Sequence, residues 1–354
     1  MNPKIKALIL ANESKIDHNE WVISCNKYKE EIDFFVINLT KENWLSEVSR
    51  VKPDILLTKP GGKTLQFKLL YDERLSVLVK ELKYKSYPSL DEVLIYENKR
   101  YFTYWLMANM LPHPNTFISY YKTEAMDFIE TTNYPIVAKL NIGASGNGVN
   151  IIKSKEEAIK YTNLIFSGGV RSRVGPKLNK GKLLRRLLNK IKSPVAFTDK
   201  IKTYRDVSRD FQKGFLLFQE YIPHDYEWRA VRIGDSFFAH KKMKKGEKTS
   251  GSLLKGYENP PISLLNFVKD VTDRFGFYSQ AVDVFEVSNH KYLINEMQCI
   301  FGQSDTYQMK VDNKIGRYIF ENEQWMFQEG VFNSNKSYDL RIEAVIKNYK
   351  KIYK

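Results

Sequence analysis

The segment KLNIGASGNGV, residues 139–149, combines a lysine with a cluster of glycines between two apolar runs. Gly143, Gly146 and Gly148 let the backbone take positive φ and approach an anion closely, because no Cβ stands in the way. Ser145 adds a hydroxyl and Lys139 a positive charge. This combination is typical of loops that bind phosphate groups.

Three kinds of phosphate loop share this composition, and the flanking residues distinguish them. A Rossmann loop has G-x-G-x-x-G opening a helix, whereas here G-x-x-G-x-G precedes VNIIKS, which alternates like a strand. A P-loop needs G-x-x-x-x-G-K-[ST]; the segment 61–64, GGKT, imitates only its end, because Leu57 stands where the first glycine belongs. A turn leading into a helix is the alternative at 61–64. For 139–149 a glycine hairpin between two strands remains, and its N–H groups can cover a triphosphate.

The stretch IVAKLNIGASGNGV, residues 136–149, resembles the central signature of the ATP-grasp superfamily: an apolar strand ending in lysine, a Gly/Ser-rich loop, and G-x-G-V. The resemblance implies that Lys139, Ser145, Gly146 and Gly148 bind ATP. A glycine hairpin with a purely structural role is the alternative interpretation. Further motifs of the superfamily follow in the same order, and together they cover about residues 98–310.

The segment FQEYIPHDYEWRAVRIGD, residues 218–235, resembles the hinge of these enzymes. Adenine needs backbone donors and acceptors in an apolar slot, which the extended residues Glu220, Tyr221 and Ile222 can supply. The resemblance implies that Glu227 binds the ribose hydroxyls. The alternative is a half-buried strand bounded by a turn.

Two later strands, AVDVFEV (281–287) and YLINEMQ (292–298), carry carboxylates that neighbouring strands can place on one face. Hard divalent cations require oxygen ligands. The resemblance implies that Asp283 and Glu296 hold Mg²⁺ or Mn²⁺. The third ligand position, an asparagine in the superfamily, is Gln298 here, and its longer side chain changes the geometry. Salt bridges to the many lysines are the alternative, because unpaired buried carboxylates are costly.

Further basic residues and one turn complete the candidate site. Lys99 occupies the place of an early lysine that contacts the nucleotide, ahead of an amphipathic helix. Lys248, in HKKMKKGEKTSGS (240–252), is positioned by resemblance to deliver a cation to the transferred phosphate, as a point charge where relatives have arginine. A solvated face is the alternative for this lysine run. Arg229, together with Arg232 and the turn 302–304, lies where an acceptor carboxylate could bind.

The elements that position these residues differ between the two halves of the chain. Short apolar runs at 6–10, 33–39 and 54–58 predict strands with parallel pairing, and 64–82 and 98–110 predict helices. From residue 134 onward, successive strand-like segments predict an antiparallel, α+β arrangement. The predicted fold is therefore an ATP-grasp fold: an N-terminal Rossmann-like α/β domain and two α+β subdomains that clamp the nucleotide. The predicted units are 1–97, a lid subdomain 98–166, a basic insertion 167–213, a metal-binding subdomain 214–310 and an extension 311–354.

The chain has 354 residues and a formal net charge of +15, which predicts anionic partners or substrates. Its two cysteines, Cys25 and Cys299, indicate a reducing compartment, and without a membrane-spanning run we expect a cytoplasmic protein. Residues 171–192 contain nine Lys or Arg and no acidic residue. A solvated loop is the first interpretation of this block, and docking on an anionic membrane surface is the second. No specific nucleic-acid partner is expected, because no RNA-binding motif accompanies the charge.

The resemblance implies an ATP- and magnesium-dependent ligase that joins a carboxylate to an amine through an acyl phosphate. The branch that it resembles contains glutathione synthetase and ribosomal-protein glutamate ligases. We expect a small-molecule or glycan carboxylate and an amine as substrates, and a weaker resemblance of the C-terminal segment suggests surface-polysaccharide biosynthesis. An ATP-grasp phosphotransferase and a nucleotide-binding regulator without turnover are the alternatives. Cys299 is interpreted as a small buried thiol rather than a nucleophile.

Overall fold

The computed structural model describes residues 3–143, 146, 148–172, 194–245, 248–249, 254–288, 290–301 and 305–352. Within this part of the chain, no helix is long and apolar enough to cross a membrane. The predicted helical stretch LLRRLLNKI, within the basic block 171–192, lies outside the described residues.

The first module is a four-stranded parallel sheet in the order β2-β1-β3-β4. Its elements are β1 (Ile5–Ala11), α1 (Asn19–Lys27), β2 (Ile32–Asn38), α2 (Trp44–Val51), β3 (Ile55–Thr58), α3 (Leu65–Ser76), β4 (Ser86–Tyr87) and α4 (Leu90–Ile95). The three predicted strands and their parallel pairing are confirmed. The helix predicted over 64–82 is confirmed as α3 followed by a π-helical turn, Val77–Glu81. Thr64 begins α3, because its side chain accepts a hydrogen bond from the N–H of Phe67.

The second module is a small antiparallel sheet in the order β5-β10-β6-β7, covered on one face by two helices. Its elements, with a separate two-stranded ribbon β8–β9, are α5 (Lys99–Ala108), β5 (Thr116–Ser119), α6 (Lys122–Thr131), β6 (Ile136–Lys139), β7 (Val149–Ile152), α7 (Lys155–Phe166), β8 (Val170–Arg171), α8 (Pro194–Arg209), β9 (Phe211–Gln212) and β10 (Leu216–Glu220). The core lies between α6, α7 and the sheet, where Ile129, Ile165 and Phe218 are buried. The predicted hairpin is confirmed as β6 and β7, with Lys139 opposite Val149.

The third module is a large antiparallel sheet whose main path is β16-β15-β11-β12-β18-β17. Its elements are β11 (Tyr226–Ile233), β12 (Ser236–Lys245), β13 (Lys248–Thr249), β14 (Lys255–Gly256), α9 (Ile262–Phe275), β15 (Ser279–Ser288), β16 (Lys291–Gln298), β17 (Lys310–Val311), β18 (Lys314–Glu321), β19 (Gln324–Glu329) and α10 (Tyr338–Ile352). One face packs against α5 and α9 through Trp228, Val282 and Ile294. The antiparallel, α+β arrangement predicted for the second half is confirmed.

Sheet membership crosses two of the predicted domain boundaries. Strand β10 falls in the predicted unit 214–310, yet it pairs with β5 and β6 of the small sheet. Residues 311–354 supply strands to the large sheet and then helix α10, whose Ile342 and Val345 join the core of the first module. Local sequence does not encode which distant strand an apolar segment pairs with. The division of the chain into five units stays a prediction.

Candidate functional site

A cavity of about 400 Å³ lies between the β6–β7 hairpin and the polar face of the large sheet. Its apolar side is formed by Val137, Ile151, Phe285 and Met297. Ten of the residues predicted from the sequence line it: Lys99, Lys139, Gly146, Glu220, Tyr221, Ile222, Glu227, Arg229, Glu296 and Gln298. The structure therefore brings together segments that are up to about two hundred residues apart in the chain.

The hairpin connects β6 to β7 with a backbone that depends on glycine. Gly146 has φ +73°, which is the left-handed region. A Cβ on Gly148 would lie 3.1 Å from the Cβ of Leu140, whose N–H donates to the carbonyl of Gly148 at 2.8 Å. Ser145 lies outside the described residues. Because a strand and no helix follows the loop, its geometry is that of a hairpin rather than of a Rossmann loop.

Two lysines enter the cavity from different elements. Lys99 begins α5, and its Nζ donates to the carbonyl of Gly143 at 3.0 Å. Lys139 ends β6, and its Nζ donates to Oδ1 of Asn295 at 2.9 Å. Burial, together with nearby Lys99, lowers the pKa of Lys139 to about 8. A polyanion in the cavity would interact favourably with both ammonium groups.

The large sheet presents a row of polar side chains to the cavity. Arg229 on β11 is opposite Asp283 on β15, which is opposite Glu296 on β16. Side chains directly opposite each other share a face of the sheet. Arg232 lies three residues beyond Arg229, and its guanidinium bonds Thr272 and Asp273 instead. The expectation that Arg232 joins Arg229 in the site is therefore wrong, because the two positions alternate to opposite faces.

Asp283 is buried behind the cavity lining and held by two cations. Its carboxylate accepts hydrogen bonds from Arg229 at 2.7 and 2.8 Å and from Lys242 at 2.6 Å. Burial alone would raise the pKa of Asp283, but Arg229 and Lys242 outweigh it and hold that pKa well below its ordinary value. A metal ion at Asp283 would compete with both of these partners. Its role as a metal ligand stays a prediction.

Glu296 and Gln298 present oxygen atoms to the cavity itself. Glu296 forms no ion pair with any described residue, and Oε1 of Gln298 is 3.5 Å from Arg229. Carboxylate and amide oxygens suit a hard divalent cation that keeps several waters. The described residues contain no cluster of three Asp, Glu, His or Cys with metal-binding geometry. A magnesium ion here would therefore depend on Glu296, Gln298 and the oxygens of a bound phosphate.

Lys242 and Asn295 belong to the site but were not among the residues predicted from the sequence. Lys242 on β12 bridges Glu227 at 2.9 Å and Asp283 at 2.6 Å. Asn295 donates to Glu227 at 3.1 Å while it accepts from Lys139. The alternation of β12 could have indicated Lys242. Asn295 enters the cavity through a β-bulge opposite Asp283 and Val284, which the sequence alone does not reveal.

The predicted hinge leaves the small sheet at the end of β10. The N–H of Glu220 donates to the carbonyl of Asn115 at 2.8 Å, and the Glu220 carboxylate accepts from the N–H of Asn115 at 3.2 Å. Tyr221 and Ile222 follow outside regular secondary structure and line the cavity. His224 contacts the carbonyl of Ile222 at 2.7 Å through Nδ1 and packs on Phe285, with ring centroids 4.7 Å apart. These contacts fix the loop between the two sheets.

Some of the residues singled out from the sequence lie partly or wholly outside the described part of the chain. Lys248 belongs to the two-residue strand β13, but its side chain is outside the described part, as is the turn 302–304. The segment 61–64 is a turn into α3, where Lys63 pairs with Asp17 at 3.3 Å. Cys299 is fully buried, and burial raises the pKa of its thiol. This environment fits the buried-thiol interpretation of Cys299.

No family model and no curated protein matches the chain by sequence. Solved structures do match its fold. N5-carboxyaminoimidazole synthase from Aspergillus clavatus aligns with a TM-score of 0.55 and 10% identity, over 98% of this chain and 78% of that one. The corresponding synthetase from Staphylococcus aureus aligns with a TM-score of 0.54 and 11% identity, over 97% of this chain and 77% of that one. D-alanine–D-alanine ligase from Bacillus anthracis aligns with a TM-score of 0.52 and 13% identity, over 99% of this chain and 100% of that one.

These structural neighbours are ATP-grasp enzymes. The chain has the ATP-grasp fold. In this chain the small sheet and the large sheet enclose the cavity from two sides, and the parallel sheet precedes them. Lys139 points toward the side chains of β16, as the predicted clamp requires.

Proposed function

We propose that this chain is an ATP- and Mg²⁺-dependent ligase that joins a carboxylate to an amine through an acyl phosphate. The observation that supports this most is the composition of one cavity under a glycine hairpin. Lys99, Lys139, Arg229 and Lys242 meet there with Glu296 and Gln298. Cations on several sides suit a triphosphate, and the two oxygen-bearing residues suit its metal ion.

Each part of the cavity has a task in this proposal. Backbone groups of Glu220, Tyr221 and Ile222 bind the base, and Glu227 binds the ribose. Lys99 and Lys139, with the N–H groups of the hairpin at Ser145, Gly146 and Gly148, hold the phosphates.

Arg229 and Lys248 stabilise the charge that develops on the transferred phosphoryl group. Magnesium, when bound, would neutralise charge on the phosphate oxygens; Glu296 and Gln298 would hold it, and Asp283 would join them only by giving up part of its contact with Arg229 and Lys242. Positioning and electrostatics then supply most of the rate acceleration, as is general for phosphoryl transfer.

The fold and the composition of the cavity support this reaction class, but they do not specify the substrates. The neighbour from Bacillus anthracis is named for joining two D-alanines, and the neighbour from Aspergillus clavatus was crystallised with ADP and an aminoimidazole ribonucleotide. For this chain we propose a small-molecule or glycan carboxylate with a separate amine, acting in peptide or surface-polysaccharide modification.

The test is a screen for products with MgATP, in which amino acids and uronic acids are supplied as carboxylates and amino acids as amines. We expect ADP, phosphate and an amide in equal amounts, identified by mass spectrometry. Asp283→Asn should abolish this turnover, since it removes the partner of Arg229 and Lys242. A stable phosphorylated acid without amide would indicate a phosphotransferase. Nucleotide binding without any turnover would indicate a regulator.

A further inference from the structure

Glu97 is a buried carboxylate of the cavity to which the proposed function assigns no task. It lies between α4 and α5, two residues before Lys99, and is 6% exposed. Its φ is +48°, a left-handed conformation that residues with a Cβ adopt at an energetic cost. Gly62 packs so closely that a Cβ there would lie 3.2 Å from the Cβ of Glu97. The fold thus holds Glu97 in the cavity in spite of this conformational cost.

One oxygen of this carboxylate lacks a hydrogen-bond donor within the part of the chain that the structure describes. Among the described residues, Oε2 of Glu97 accepts no hydrogen bond. The Nζ of Lys99 is 3.8 Å away, too far for a hydrogen bond, and donates to the carbonyl of Gly143 instead. A buried acceptor without a donor is costly unless a ligand supplies one.

The charges around Glu97 restrict what that ligand is. Burial raises the pKa of Glu97; Lys99 and, more weakly, the N–H of Gly143 and Lys68 oppose the rise, and Glu296 adds to it. A phosphate would be repelled by the carboxylate. A divalent cation would face the ammonium of Lys99 at close range, and Glu97 belongs to no three-residue metal cluster in the described part of the chain. A neutral group with N–H donors satisfies Oε2 without either conflict.

We propose that Glu97 binds the acceptor amine of the ligation and acts as its general base; this inference rests on the proposed function. The nitrogen lone pair attacks the carbonyl carbon of the acyl phosphate, a C–N bond forms, and the C–O bond to phosphate breaks. Inorganic phosphate leaves, and the proton lost by the nitrogen passes to Oε2 of Glu97. Lys99 disfavours a second cation beside it and so favours the neutral, nucleophilic form of the amine.

The test separates the two half-reactions with Glu97→Gln, which keeps the shape of the side chain and removes its basicity. Acyl phosphate is trapped with hydroxylamine, which is largely unprotonated at neutral pH and needs no base, using the carboxylates of the screen. We expect Glu97→Gln to retain most hydroxamate formation but to lose about 10²–10⁴-fold in amide formation with ordinary amines. Amide formation by the variant should recover as pH rises and the free amine becomes abundant. The conservative variant Glu97→Asp should restore part of the rate.

The matched control is Glu323→Gln, because Glu323 also has a positive φ, +61°, but lies exposed in the β18–β19 turn. It should behave as wild type in both assays. Equal loss of hydroxamate and amide by Glu97→Gln would overturn the proposal, as would no loss at all. A large loss of MgADP affinity in calorimetry would assign Glu97 to the metal or the phosphates instead. If the wild type yields no hydroxamate with any acid, the proposed function itself fails, and the role of Glu97 fails with it.

Discussion

Lys139 ends β6 inside the cavity, where burial and Lys99 lower its pKa to about 8. In the free protein it therefore loses its proton as pH rises through 8. The phosphates of a bound nucleotide stabilise the charged form and raise this pKa again, so binding above pH 8 must take up a proton. The affinity for MgADP should consequently fall above pH 8, by up to about tenfold per pH unit.

Calorimetry in two buffers of different ionisation enthalpy measures this proton uptake directly. Lys139→Met should weaken binding and abolish the uptake, whereas Lys155→Met, which removes an exposed lysine paired with Glu130, should change neither. If the wild type bound MgADP with the same affinity throughout pH 7 to 9.5, the assignment of Lys139 to the phosphates would be contradicted.

Lys242 is buried between Glu227 and Asp283, and it separates two carboxylates that would otherwise be close in a poorly solvated site. Lys242→Met removes this buried ammonium from both carboxylates. We expect the free energy of unfolding to fall by about 3–5 kcal/mol, as for other broken buried ion pairs. Urea unfolding measures the loss. Lys347→Met removes an exposed pair with Asp235 and should cost about 0–1 kcal/mol; similar losses in the two variants would refute this account of Lys242.

At the scale of single elements, the β6–β7 hairpin contains a glycine with a positive φ, although the space that a Cβ would occupy there is open. Gly146 has φ +73°, and Gly214, before β10, has φ +78°; a Cβ would meet nothing within 4 Å at either position. Alanine should therefore destabilise both positions similarly, by about 1–2 kcal/mol, through backbone conformation alone.

Only Gly146 lines the cavity, so only Gly146→Ala should also weaken MgADP binding, by about 5- to 30-fold, the equivalent of 1–2 kcal/mol. Titration calorimetry on both variants checks this. Equal affinities for Gly146→Ala and Gly214→Ala would show that the hairpin does not contact the nucleotide.

The hairpin could be predicted because glycine type and spacing are local signals, and the strand VNIIKS follows directly. The β-bulge in β16 could not, since a bulge depends on how β16 pairs with β15 across the sheet. Without it, consecutive residues Asn295 and Glu296 would point to opposite faces. For the same reason the sequence identified Glu296 but missed Asn295 as the link between Lys139 and Glu227.

At the scale of the whole molecule, the C-terminal helix α10 joins the core of the first module, more than three hundred residues away in sequence. Ile342 is fully buried there, beside Trp21 and Leu8 in the same apolar cluster. The sequence predicted only an extension at 311–354, because an amphipathic helix does not specify its partner. The Rossmann-like module and the C-terminus should therefore unfold together.

Ile342→Ala should lower the free energy of unfolding by about 2–5 kcal/mol through the cavity that it leaves. Denaturant unfolding followed by tryptophan fluorescence reports it. Val331→Ala, which shortens a half-exposed side chain, should stay within about 0.5 kcal/mol of wild type. A loss below 1 kcal/mol for Ile342→Ala would mean that α10 is not part of this core in solution.

The central claim is that one cavity binds ATP through Lys139 and its metal ion through Glu296. Calorimetric titration with ATP, in the presence and absence of Mg²⁺, tests it most directly. We predict that Lys139→Met weakens binding under both conditions, while Glu296→Gln weakens it only when Mg²⁺ is present. No detectable binding by the wild type at millimolar ATP, or wild-type affinity in both variants, would contradict the account.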